Sequence, residues 1–393
     1  MAWCADAVGP GVIDLSPLRL GVVAGEASGD LLAGLLLKGL RTRWPALTAS
    51  GIGGPRMAAE GFEALWPHDR LAVFGYVDAL GRLPELLRIR RLLAQRLIEE
   101  RPAAFIGVDA PDFNFGLETR LRAAGIRTVH FVCPSIWAWR GHRVQRLARA
   151  ADHVLCLFPF EPALLQQHGI AATFVGHPLA DAIPFAPPRE AARAAIGLSE
   201  QDQVIALLPG SRRREIVQIA PRMAAAAARM HQQRPHLEFV LPAAPGMRPA
   251  IEAALSRYAP NVRVRVLDGQ SHQALAACDV TLIASGTATL EAALLKRPMV
   301  ITYHLAWLDW QRMKRMSYQP WFGLPIILSR EFIVPELIQD DATPEAMARE
   351  TLAWLDDNAR TRRVQLRFES LHHQLRQDTA QLATDAIAQV IQA

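Results

Sequence analysis

Cysteine is scarce in this chain. Four of its 393 residues are cysteines (Cys4, Cys133, Cys156 and Cys278), and their wide spacing forms neither a CxxC pair nor a Cys/His cluster. Reduced thiols, a reducing cytoplasm and no structural zinc are therefore expected. Long apolar runs are also missing: even LLAGLLL stops at Lys38, short of the roughly 18 residues that a membrane-spanning helix needs. Any membrane contact is expected to be peripheral. The opening MAWCADAVGPGVIDLSP lacks a basic start followed by an apolar core, so it does not read as a secretory signal. GxGxxG, a phosphate loop ending in Gly-Lys-Ser, an Asp-x-Asp pair and HxxxH are all absent. No metal and no cofactor are expected, and a departing diphosphate would have to be met by arginine and backbone N–H groups. Repeats of solenoid length and biased tracts are absent too, which excludes array and disordered architectures.

What is present is globular composition on the apolar side, 51% hydrophobic and 21% charged. The length favours two compact units of roughly 150 to 200 residues each. Net charge is +5, with the excess in arginine, which suits anionic partners: phosphates, nucleic acid or an acidic membrane surface. Short apolar runs ending in Gly, Pro or Ser recur before longer helical patterns: LRLGVVAGE, AAFIGVDAPD, TVHFVCPS, DHVLCLFP, QVIALLPGS, LEFVLPAA and DVTLIASG. This alternation predicts βα units with buried parallel strands, an α/β fold whose ligands sit in the turns beyond the strand ends. Four closely spaced prolines in GHPLADAIPFAPPREAA mark a linker, and Thr343-Pro344-Glu345 opens a helical tail. The expected organisation is a loose extension over 1–17, a first domain over 18–185, a second over 186–342 and a tail over 343–393. The tail would pack back on the first domain or on a partner subunit.

Five turns can carry chemistry. GVVAGEASGD passes from strand to helix through Gly25, Glu26, Ala27, Ser28, Gly29 and Asp30, where glycines admit a ligand and the helix start offers unpaired N–H groups. Taken alone it also fits an ordinary turn capped by Asp30 or Ser28. In GVDAPDFNF, Asp109 and Asp112 follow an apolar strand; Asp109 is the preferred general base for a sugar hydroxyl, while Asp112 equally fits a helix cap. PSIWAWR joins Trp137 and Trp139 to Arg140, a pairing suited to an acylated, phosphorylated sugar, although one Trp also fits core packing. The basic run is too short to favour nucleic acid. LLPGSRRREI places Gly210, Ser211 and Arg212 at a strand end, and ASGTATLE repeats the design with Ser285, Gly286, Thr287 and Glu291. Two such turns in one half favour a nucleotide-diphosphate site, with Glu291 placed to take ribose hydroxyls. Leu71, Val73, Phe74, Tyr76, Val77 and Leu80, followed by Arg88, Arg90 and Arg91, fit either a patch seated on an acidic leaflet or an amphipathic helix pair.

The ordered motifs AGEASGD, GIGGPRM, GVDAPDFNF, PSIWAWR, GHPLAD, LLPGSR and ASGTATLE resemble those of lipid-A-disaccharide synthases, over roughly residues 20–340. The resemblance implies a GT-B architecture, two Rossmann-like domains facing across a cleft, and an inverting, metal-independent glycosyltransferase of lipid A biosynthesis. It implies UDP-2,3-diacylglucosamine as donor, 2,3-diacylglucosamine 1-phosphate as acceptor, and a β-1,6-linked disaccharide phosphate and UDP as products. It further implies Asp109 as the essential carboxylate, Glu26 and Ser28 on the acceptor side, and Arg212, Ser285, Gly286, Thr287 and Glu291 on the UDP side, with Gln339 a further substrate-binding candidate. A cytoplasmic, peripheral place on the inner membrane and a homodimer through the tail follow by analogy alone. The chain departs from the family in GLPIILSREFIVPELIQ, where Ile326 stands at a position commonly Asn. Other readings of the same residues are a different GT-B enzyme using UDP-GlcNAc, a lipid II transferase or a 2-epimerase, and a non-catalytic UDP-sugar or lipid binder.

Overall fold

The computed structural model describes residues 18–71, 76–138, 141–316 and 320–393. The extension 1–17 and the site candidates Val73, Phe74, Trp139 and Arg140 lie outside the described residues.

Seven strands form the first sheet: β1 (Arg19–Ala24), β2 (Thr48–Gly53), β3 (Glu63–Pro67), β4 (Ala104–Val108), β5 (Arg127–Phe131), β6 (His153–Cys156) and β7 (Ala172–Phe174). Six form the second: β8 (Val204–Leu208), β9 (Glu238–Ala243), β10 (Val264–Asp268), β11 (Val280–Ala284), β12 (Met299–Tyr303) and β13 (Glu336–Ile338). Their spatial orders are β3-β2-β1-β4-β5-β6-β7 and β10-β9-β8-β11-β12-β13, with parallel pairing throughout. Every residue of β4, β8 and β11 is buried. A parallel sheet covered by helices on both faces requires such continuous apolar strands, each large side chain contributing about 1.5–3 kcal/mol on burial.

Both sheets reverse their strand order at one place, between β1 and β4 and between β8 and β11. There the chain leaves neighbouring strands toward opposite faces and opens a crevice beyond their carboxyl ends. The turns of Glu26, Asp109, Arg212 and Ser285 follow these four strands.

The tail ties the two units together. Thr343 caps the helix Pro344–Asp356, its hydroxyl accepting from the Ala346 N–H at 3.1 Å, and that helix lies on the helix Arg213–Gln233 and on β11 and β12. The helix Asn358–Leu375 then runs back, and His372 Nε2 donates to the Ala180 carbonyl at 2.7 Å. Phe185, in the proline-rich connection, packs its ring 4.3 Å from those of both His372 and His373. The final helix, Thr379–Gln392, sits on the helix Ala27–Arg43 of the first unit; Asp181 accepts from the N–H groups of Asp378 and Thr379 at its start.

Leu71 corrects one expectation. It was grouped with an exposed apolar patch, but its side chain is buried in the cluster with Val23, Ile52 and Phe113. Tyr76, Val77 and Leu80 lie on the first turns of the helix Tyr76–Glu100, and farther along that helix Leu83, Leu87 and Leu92 are exposed. Among the described residues no helix is long and apolar enough to cross a membrane.

The docking of the last helix depends on Gly39, where a Cβ would stand 2.4 Å from Ala380 Cβ and 3.0 Å from its Cα. Gly39→Val should therefore cost about 1–3 kcal/mol by overpacking. Urea unfolding should show this as a lowered midpoint, and an unchanged midpoint would place the tail elsewhere.

Candidate active site

The turns after β1 and β4 press together. A Cβ on Gly25 would fall 2.8 Å from Ala110 Cβ, so only glycine lets the two backbones approach this closely. Asp109 and Ala110 both take left-handed conformations, with φ of 49° and 44°. Such residues cost of order 1–3 kcal/mol each unless their surroundings hold them. The Asp109 N–H donates to the Phe131 carbonyl at 2.9 Å, and Asn114 Nδ2 donates to the Asp109 carbonyl at 2.8 Å.

Burial pushes the Asp109 carboxyl above its ordinary range, and the Glu26 carboxylate adds to the rise; His130, the Ala110 N–H and Arg212 oppose it without reversing it. A carboxylate with these neighbours is more basic than one in water.

Glu26 starts the helix Ala27–Arg43, yet its side chain caps no N–H group. It faces the other unit instead, accepting from Arg212 Nη2 at 2.8 Å. Burial pulls the Arg212 guanidinium down, but Glu26, by charge and hydrogen bond, together with Glu215 and Tyr303, leaves it above its ordinary value. Around Arg212 the turn is already shaped for an anion. Glu215 Oε2 accepts from the N–H groups of Ser211 at 3.2 Å and Arg212 at 3.3 Å. Gly210 has φ of 112°, and a Cβ there would lie 2.5 Å from the same oxygen.

After β11, Gly286 precedes the helix Thr287–Leu294 with open space where a Cβ would stand. Glu291, one turn along, accepts from His272 Nε2 at 2.9 Å, and that bond, set against burial, raises the His272 pKa.

The structure thus brings Gly25, Glu26, Asp109 and Arg212 to one crevice, with Gly210 and Ser211 beside them. Ser28 is exposed on the first helical turn, whereas Gly29 is buried 3.6 Å from Ala24. Several candidates are committed elsewhere. The Asp30 carboxylate is buried and accepts from the N–H groups of Gly54, Arg56 and Met57 at 2.8, 3.0 and 3.1 Å, which fixes the GIGGPRM turn rather than a ligand. Asp112 binds Arg143 at 2.7 Å. Gln339 clamps Leu305, accepting from its N–H at 2.6 Å and donating to its carbonyl at 3.2 Å. The Ser285 hydroxyl donates to the Phe322 carbonyl at 3.1 Å. Trp137 donates to the buried Glu161 at 3.0 Å and packs edge-on to Phe158 and Phe160. Burial raises the Glu161 pKa to about 8.

The sequence reading missed Glu215, His272 and His130. Glu215 was detectable, since a Glu three residues after a helix-capping position is a known start signal; the two histidines carried no local signal.

A family model described as lipid-A-disaccharide synthetase matches residues 20–391. The lipid-A-disaccharide synthase of Albidiferax ferrireducens is 56% identical over 380 residues, 95% of this chain and 98% of that one. That of Verminephrobacter eiseniae is 57% identical over 381 residues, 96% and 98% of the two chains. The chain belongs to the lipid-A-disaccharide synthase family. It is a glycosyltransferase of lipid A biosynthesis that uses a UDP-sugar. Among solved structures, the UDP-GlcNAc 2-epimerase of Neisseria meningitidis bound to UDP-GlcNAc aligns with a TM-score of 0.64 at 10% identity, covering 95% of this chain and 100% of that one. The Methanocaldococcus jannaschii UDP-GlcNAc 2-epimerase in complex with UDP-GlcNAc and UDP aligns at 0.58 and 13% identity, over 87% and 94%. At such identities the likeness shows the fold alone, the GT-B pair of Rossmann-like domains. Ile326 is wholly buried in the core, where its side chain offers no group to a ligand.

The raised pKa of Asp109 predicts where activity fails in acid. To serve as the base expected from the sequence, Asp109 must be ionised, so kcat/KM should fall as pH drops through a value above the ordinary carboxylate range of about 4. Glu26→Gln removes a negative neighbour and should move that limb to lower pH. A pH–rate profile of the two proteins measures the shift, and a limb moving upward would contradict the electrostatics described here.

Proposed function

We propose that this glycosyltransferase moves 2,3-diacylglucosamine from UDP to 2,3-diacylglucosamine 1-phosphate, forming a β-1,6-linked disaccharide phosphate and UDP. The reading rests on one observation, the Glu26–Arg212 contact at 2.8 Å, which sets the base-bearing crevice against the anion-shaped turn of the other unit. Asp109 takes the proton of the acceptor's 6-hydroxyl as that oxygen attacks the anomeric carbon from the face opposite UDP. The bond to the diphosphate breaks in the same displacement, the electron pair leaves with UDP, and the centre inverts. Arg212, the N–H groups of Ser211 and Arg212, and the Gly286–Thr287 helix start meet the growing charge, and Glu291 takes the ribose hydroxyls. Gly25, Ser28 and Gly29 shape the acceptor side. Charge neutralisation by these groups requires no metal ion.

Diphosphate binding in this scheme releases Glu215 from the turn and Glu26 from Arg212. One anion replaces two carboxylates, which couples donor binding to the charge felt by Asp109.

The helix Tyr76–Glu100 supports peripheral docking on the cytoplasmic face of the inner membrane. Leu83 and Leu87 are exposed four residues apart on one stripe, beside exposed Arg88 and Arg91, so apolar carbon and positive charge face the same way. Replacing both leucines by Glu should reduce sedimentation with vesicles containing phosphatidylglycerol by roughly tenfold or more, since the two half-exposed side chains together give up about 1.5–3 kcal/mol of apolar burial. Equal binding would locate the membrane face elsewhere.

The activity is tested by UDP release from purified protein given both acylated sugars, with and without EDTA. Release that requires the acceptor and survives the chelator is expected. Loss in EDTA would remove the metal-free mechanism, and conversion of donor without acceptor would favour an epimerase. Asp109→Asn should lower turnover by at least about a hundredfold with UDP affinity retained in calorimetry; undiminished turnover would remove Asp109 from its role.

A further inference from the structure

Just beyond Asp109, the helix Pro111–Ala123 carries Asp112, Phe115 and Gly116 at i, i+3 and i+4, neighbours on one face. Three arginines from two other helices converge on that face. On the helix Arg143–Ala150, Arg143 Nη2 donates to both Asp112 oxygens, at 2.8 and 2.7 Å. Arg146, one turn along, stands 3.9 Å from Asp112 and 5.8 Å from the centre of the Phe115 ring. From the helix Tyr76–Glu100, Arg90 lies against Gly116, where a Cβ would fall 2.4 Å from its Nη1, so the glycine leaves room for the guanidinium. Asp112 is the carboxylate that this group reaches. Arg90 pairs with none among the described residues, and burial together with the like charge of Arg146 holds it below its ordinary pKa. Like charges gathered around one carboxylate repel each other until a further anion joins them.

The place suits one part of the acceptor proposed above. In 2,3-diacylglucosamine 1-phosphate the phosphate stands on the carbon next to an acylated one, and the 6-hydroxyl lies across the ring. Asp109, the proposed base for that hydroxyl, is three residues before Asp112, and Asn114, between Asp112 and Phe115, holds the Asp109 carbonyl at 2.8 Å. On the other side, the exposed Leu83 and Leu87 continue to Arg90 at i, i+4 and i+7, along one stripe of their helix. The arginines thus join the leucine stripe to the turn that carries Asp109. A phosphate monoester brings a charge of about −1.5 to −2 at neutral pH and oxygens that match forked guanidinium groups.

We propose that Arg90, Arg143 and Arg146 bind the 1-phosphate of the acceptor sugar, with Asp112 orienting Arg143. The inference rests on the acceptor named under the functional reading and deepens it, since it gives the phosphate a site of its own, apart from the turns assigned to UDP.

The test is a cycle between protein and substrate. Arg90→Gln and Arg146→Gln, both at part-exposed positions, are assayed in neutral detergent micelles with the diacylated donor and either 2,3-diacylglucosamine 1-phosphate or 2,3-diacylglucosamine as acceptor. With the phosphorylated acceptor each variant should lose roughly tenfold in kcat/KM, mainly through the acceptor KM, as expected for one charge-assisted hydrogen bond. The wild type should lose at least as much when the phosphate is removed, and on that acceptor the variants should match it. Equal losses on both acceptors overturn the proposal, because a structural defect does not depend on the phosphate. Acidic lipid headgroups are the other source of phosphate. Unchanged acceptor kinetics in micelles with weaker sedimentation on phosphatidylglycerol vesicles would assign the arginines to the membrane surface and overturn the proposal. If the wild type releases no UDP from the acylated sugars, the functional reading fails by itself. A 31P titration of glucosamine 1-phosphate with UDP-saturated protein then decides for the arginines: weaker binding by the variants than by the wild type supports a sugar-phosphate site, and equal or absent binding removes it.

Discussion

Glu26 and Arg212 are 186 residues apart in the chain and stand 2.8 Å apart in the fold, on turns belonging to different sheets. Both side chains are about half exposed, 47% and 56%, so the pair is worth only about 0–1 kcal/mol as a stabilising contact. What it fixes is geometry and charge. With Arg212 turned toward Glu26, a positive group from the second unit lies within electrostatic reach of the Asp109 carboxyl in the first, and each of the three charges alters the others. The same weakness makes the contact exchangeable, because a diphosphate offering a forked guanidinium two or three oxygens competes easily with a solvated carboxylate.

Asp109 shows what such a site costs the fold. Its backbone is left-handed, its neighbour Ala110 is too, and its carboxyl is withdrawn from water. The folded-state pKa is raised above the unfolded value, so this group's contribution to stability is fully present below the unfolded pKa and is lost as pH rises through the folded one. At neutral pH the ionised form is thus a burden on the native state. The Phe131 carbonyl, Asn114 and the Gly25–Ala110 contact keep the conformation in place. Asparagine tolerates the left-handed region and needs no charge, so under the role proposed for Asp109 stability and turnover pull in opposite directions at this position.

The turns that form the crevice were legible in the sequence because each closes a strand of five or six buried apolar residues with Gly, Ser or Asp. Strands without that signature were not foreseen. β2 reads TASGIG and is irregular at Gly51, β3 and β10 are half exposed at sheet edges, and β7 and β13 have three residues each. Their pairing comes from neighbours already in place rather than from local preference. Side-chain partners were less legible still. Asp30 and Asp109 both lie where a buried strand gives way to a helix, yet one accepts from the backbone of residues 54–57 and the other lies within electrostatic reach of Glu26 and Arg212. Their partners are set only when the sheet order brings other segments alongside.

That difference separates the polar residues of the crevice into two kinds. Asp30 and Gln339 are spent on backbone N–H and carbonyl groups of neighbouring loops. A ligand drawing on them would leave those groups unsatisfied at about 1–3 kcal/mol each, so they hold shape and cannot easily change partner. Glu26, Arg212, Glu215 and the pair of His272 with Glu291 are bound instead to one another or to turn N–H groups at a helix start, where an incoming anion or hydroxyl can substitute for the carboxylate it displaces. The loops are therefore rigid where their carboxylates face backbone and adaptable where they face charge. Adaptable contacts gather at the strand-order reversals of the two sheets, the place proposed above for the sugar nucleotide and its acceptor.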